Sequence, residues 1–137
     1  MGYLTVISET GFFHSAVMLQ RDNSTEQKWF GFKPTKSKMP IWSGHVDISD
    51  RTDFVNHYVR FQVADSDLDD VETMIDQKYA GTSYVVGVRD CVSLSADAAW
   101  ECHLKVTIAN MTPFGLVVWL ARNNGYSDYD TRPLPWI

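Results

Sequence analysis

The sequence predicts an α+β fold, a small antiparallel sheet with helices on one side. Two observations carry this. Short β-rich runs crowd the first half of the chain, and three segments of helical character follow one another in the second. With 137 residues, 45% of them apolar and 13% aromatic, there is material for one well-filled core, so residues 1–137 read as a single domain.

Each element has its own justification. "YLTVIS" at 3–8 is short and β-rich, and "HSAVMLQ" at 14–20 is a second such run. The polar cluster "RDNSTE" reads as a turn, and "QKWFGF" at 27–32 resumes the β pattern, so 14–32 is expected to be a hairpin turning near Asn23. The Pro, Ser, Lys and Asp of 33–53 mark a long loop. "HYVRFQV" at 57–63 alternates as a half-buried strand does. Leu68, Val71, Ile75 and Tyr79 share one helical face behind Asp65 or Ser66 as N-cap, with acidic residues in the first turn. "GTSYVVGVRD" breaks that helix, and another starts near Asp90. In "TPFGLVVWLARNNG", Thr112 caps, Pro113 opens the helix and Gly125 ends it. The tail "YSDYDTRPLPWI" reads as irregular.

Charge and composition exclude several classes of function. The 17 acidic and 12 basic side chains leave a net charge of -5, and the basic residues are scattered, with Lys28 to Lys38 the one loose group. A sequence-independent grip on nucleic acid needs clustered cations, so no nucleic-acid partner is expected. No run reaches membrane-spanning length, and "MGYLTVISETGFF" has neither the basic start nor the apolar core of a secretory signal. The expected location is the cytoplasm of the producing cell. No cofactor or metal is expected, because CxxC and HExxH are absent and the four histidines are dispersed. The acids at Asp65, Asp67, Asp69 and Asp70 lack the glycine and the closing glutamate of a calcium loop and suit a helix start.

The cysteines carry the chemistry. If both lie on one helix, eleven residues separate Cys91 from Cys102 by roughly 16 Å, beyond the reach of a disulfide, so both should be free thiols. Cys102, beside Trp100 and Leu104, suits packing. Asp90 as N-cap puts Cys91 at the first helical position, where unpaired N–H groups and the helix dipole favour a thiolate. A buried packing residue is the other reading of Cys91. A thiolate nucleophile would need an imidazole nearby, and of the four histidines His14 opens a strand, His57 alternates with core residues, His45 lies in the long loop and His103 suits a helix C-terminus.

A histidine opening an early hairpin, "FFHSAVMLQ…KWFGFKP", and a cysteine opening a late helix, "YVVGVRDCVSLSADAAWECHL", resemble the circularly permuted papain-like superfamily. That group includes the lecithin:retinol acyltransferase type and permuted relatives of NlpC-type cell-wall peptidases. The likeness covers about residues 3 to 125 and is closest to small bacterial domains among type VI secretion effectors. It implies a permuted papain-like fold with Cys91 as nucleophile and His14 as general base. Such an enzyme would be a cysteine hydrolase cleaving an amide, for which a peptidoglycan stem peptide is the leading substrate, delivered by a specialised secretion system to a target-cell periplasm. A cognate immunity or inhibitor protein would be its partner. The superfamily's third polar residue has no evident counterpart where hairpin arithmetic pairs His14, near Phe32 or Lys33, and Glu26, Gln27, His45 and Asp47 remain open for it. Trp29 and Trp42 are expected to line the substrate groove. The alternatives are a non-catalytic binding module on the same fold and a thiol acyltransferase or esterase acting on lipid.

Overall fold

A computed structural model describes residues 1–9, 14–36, 39–107 and 111–130. The first strand, β1 (Gly2–Glu9), is followed by β2 (Ser15–Gln20), β3 (Lys28–Pro34) and β4 (Ile41–Asp47). A single 3₁₀ turn, Thr52–Phe54, leads into β5 (Val55–Val63). Then come α1 (Asp65–Lys78), β6 (Ser83–Val85), α2 (Cys91–Glu101), α3 (Pro113–Asn123) and β7 (Asp128–Asp130). The strands form one sheet in the order β6-β4-β3-β2-β1-β5-β7, with antiparallel neighbours throughout. The α+β architecture is therefore as the sequence predicts.

Alternation along the strands gives the sheet two faces. Leu4 and Val6 of β1, Val17 and Leu19 of β2, Phe32 of β3 and Val59 and Phe61 of β5 point to one face. All three helices pack there, through Leu68, Val71 and Ile75 of α1, Leu94 and Ala98 of α2, and Leu116, Val117 and Leu120 of α3. The other face carries a smaller buried cluster of Ile7, Met18, Trp29, Val55 and Tyr58, and no described helix lies on it. Cross-strand registers place Ile7 opposite Ala16, Met18 opposite Trp29 and Ala16 opposite Gly31, so these residues share that second face.

The hairpin turns where expected, with Asn23 in the left-handed region at φ 58°. Four elements, β4, β6, β7 and α1, differ from the sequence reading. The segment 33–53 is not one long loop, because β3 continues through Pro34 and β4 occupies Ile41–Asp47. Much of β4 is exposed, so it lacks the apolar alternation by which a strand is recognised. β6 and β7, each three residues long, are edge strands hidden in segments read as a breaker and an irregular tail. Of that tail, residues 131–137 lie outside the described residues. The N-cap of α1 is Ala64, one position before the expected Asp65 or Ser66, and its side chain offers no cap. Asp65 and Asp67 still stand in the first turn, where they complement the helix dipole.

Candidate functional site

The start of α2 is built tightly. Asp90 Oδ1 accepts the Ser93 N–H at 2.9 Å, Ser93 Oγ accepts the Asp90 N–H at 2.8 Å, and Asp90 Oδ2 accepts the Gly87 N–H at 2.8 Å. This reciprocal cap fixes Cys91 at the first helical position, as the sequence predicts. The thiol meets the backbone N–H groups of Ser15 and Val92 and the Tyr84 hydroxyl. Behind it, Ser95 Oγ donates to the Cys91 carbonyl at 3.2 Å and lies 2.7 Å from Ser15 Oγ.

Those donors would favour a thiolate, but burial opposes it. Cys91 is only 5% exposed, and burial pushes its thiol up to about 11, with the nearby Asp90 charge adding to the effect. At pH 7 such a group is about 0.01% ionised. Cys102, also a free thiol, is pushed up by burial to about 12. Helix position by itself does not distinguish the two cysteines.

His14 occupies a different environment. Its Nε2 lies 3.4 Å from Glu9 Oε2, while Arg51 holds Glu9 Oε1 through Nη2 at 2.7 Å and Nε at 3.1 Å. Lys33 pairs with Asp47 at 2.8 Å on the same side. The ring packs over Gly31, where an added Cβ would stand 2.8 Å from Nε2. Burial lowers the imidazole to about 3, Lys33 and Arg51 push the same way, and Asp47 opposes them. His14 is therefore neutral at pH 7.

The two residues expected to form a dyad face opposite sides of the sheet. Ser15 presents its backbone N–H to the Cys91 thiol and its hydroxyl to Ser95, on the helical face. His14, one residue earlier, turns its ring to Gly31 and Ala16, which share a face with Met18 and Trp29. The hairpin does bring its open end to the start of α2, but the side chain it presents there is a serine.

The two tryptophans expected to line a groove lie in different settings. Trp29 is 3% exposed in the second-face cluster, away from α2, and is a core residue. Trp42 is 42% exposed on β4, opposite Tyr84 on β6, with Lys36 Nζ 5.3 Å from its ring centre. It thus neighbours the tyrosine that touches Cys91. Of the residues left open as a third catalytic group, Asp47 pairs with Lys33. Burial would raise its carboxyl, but Lys33 and Ser49 hold it well below the usual range. The residue beside His14 is instead Glu9, which a β1–β2 pairing brings back across five positions; ending the first strand at residue 8 concealed it.

Beside α2 lies a cleft of about 540 Å³. Its walls include Val88, Asp97, Trp100, Val106 and Met111, and Trp100 and Val88 are 67% and 74% exposed. Lys78 Nζ and the Tyr79 hydroxyl both engage Asp97 at its edge. Among the described residues no group of three or more potential ligands is arranged for a metal, and no helix is long and apolar enough to cross a membrane. No family model, curated protein or solved structure matches the chain.

Proposed function

We propose that this domain is a non-catalytic binding module, of the permuted papain-like kind that the sequence resembles, and that its partner is a protein segment seated in the cleft beside α2. One observation carries the reading: the β2 side chain facing the Cys91 region is Ser15, while the His14 imidazole lies on the other face. A cysteine hydrolase needs a base within hydrogen-bond reach of its nucleophile. Among the described residues no imidazole acts on the Cys91 sulfur, and burial with the Asp90 charge favours the protonated thiol. Cys91 then serves as a small apolar residue closing the start of α2.

The cleft supports the binding half of the reading. A tryptophan two-thirds exposed beside an exposed valine is costly to leave in water and is the kind of aromatic anchor that dominates protein interfaces. The Lys78, Tyr79 and Asp97 network holds the cleft edge in place without a partner.

Timed labelling with iodoacetamide at pH 6.5 and 7.5, mapped to each cysteine, tests the proposal. Slow labelling of both thiols in the folded protein, accelerating together on unfolding, is expected. Fast labelling of Cys91 that collapses in His14→Ala would overturn the proposal and restore the hydrolase, since it requires the imidazole and thiol to meet.

A further inference from the structure

α3 is apolar on more of its circumference than the core uses. Leu116, Val117 and Leu120 face the sheet and Ala121 packs against their cluster, yet Phe114 and Val118 form a second stripe outside it. That stripe lines a cleft of about 480 Å³ together with Tyr126 and Tyr129, and among the described residues Arg122 is its one charged side chain. The cleft is separate from the one beside α2, and the two share no lining residue.

Its parts fit one class of ligand. The volume lies within the range of roughly 300 to 1,000 Å³ typical of small-molecule sites. Tyr126 and Tyr129 stand with ring centres 5.8 Å apart and planes tilted by 47°, and Phe114 is braced from behind by His57 at 4.2 Å between ring centres. These are aromatic walls for a flat apolar body. Among the described residues none that lines the cleft is acidic and Arg122 makes no ion pair, so its guanidinium fork is free for an incoming anion. We infer that this cleft binds a small aromatic acid, its ring between Phe114 and the two tyrosines and its carboxylate on Arg122.

The test uses 1-naphthoate, with 1-naphthalenemethanol as the uncharged counterpart, titrated into the full chain and followed by amide chemical shifts. Saturable naphthoate shifts centred on Phe114, Val118, Tyr126 and Tyr129 are expected, with the alcohol binding more weakly. Arg122→Gln should weaken naphthoate about tenfold, the effect of losing a charge-assisted pair in an apolar setting, and leave the alcohol unchanged. Val118→Trp fills the cleft from a helix position outside the core cluster and should abolish both while the remaining spectrum stays folded. Equal affinity for acid and alcohol, binding that survives Val118→Trp, or no saturable shift at millimolar ligand would each overturn the assignment.

Discussion

Acidification provides a direct test of the environment described for His14. An unfolded histidine titrates near 6.5, whereas burial holds the folded imidazole near 3, with Lys33 and Arg51 adding to the effect. Glu9 lies beside the ring, but its charge is already engaged by Arg51. The depressed folded value means that the unfolded chain binds the proton first as pH falls. The stability tied to a neutral His14 is thus fully present above pH 6.5 and is lost progressively between 6.5 and 3. From pH 7 to pH 5 the loss is about 2 kcal/mol, since each unit between the two values is worth about 1.4 kcal/mol. His14→Gln keeps a neutral polar group in the pocket but removes this titration. Urea unfolding of both proteins at pH 7, 6 and 5 should show the wild type losing about 2 kcal/mol more than the variant over that range. Carboxylates remote from the ring contribute alike in both proteins and cancel in the difference. Parallel curves would refute the argument. They would mean that the imidazole reaches water, whereas a wild type that gained on the variant as pH fell would mean that Glu9 holds the ring as a charged pair.

Further outcomes follow from the same geometry. Gly31→Ala places a methyl 2.8 Å from His14 Nε2, so the ring must move; a cost of about 1 to 3 kcal/mol and an upward shift in the His14 titration by NMR are expected. Trp29→Ala should cost about 3 to 5 kcal/mol in chemical denaturation, as a buried indole does, whereas Trp42→Ala, exposed on β4, should cost less than about 1 kcal/mol. Asp90→Ala removes acceptors from the Ser93 and Gly87 N–H groups and should destabilise by about 1 to 2 kcal/mol, with faster amide exchange in the first turn of α2.

What could be read from residues alone was set by how local each signal is. The caps of α2 and α3 were legible because Asp90, Thr112 and Pro113 act on N–H groups within three residues. Central strands were legible because burial selects apolar residues along them. β4 was not, since three of its first residues, Ile41, Trp42 and Ser43, are exposed and the strand owes its place to pairing with β3 and β6. The three-residue strands β6 and β7 are too short for any periodicity to show.

The candidate site failed to be legible for a sharper reason, which is parity. Finding a histidine at the mouth of a hairpin and a cysteine at a helix start brings two segments together, and here the segments do meet: the Ser15 N–H touches the Cys91 sulfur. Whether the imidazole meets the thiol depends on which way one residue points, and in a strand that reverses with every step. The register that sets Ala16 opposite Ile7 and Gly31 fixes Ala16 on the second face, and His14 two residues before it follows. Glycine at 31 leaves room for the ring there, and Glu9, itself held by Arg51, stands 3.4 Å from it, so the surroundings agree with that orientation. On the helical face Ser15 is equally committed, through Ser95 to the backbone of Cys91 itself. A one-residue slip that turned the histidine toward the thiol would take the ring from its place over Gly31 and break the serine pair at once. The binding reading rests on that double commitment.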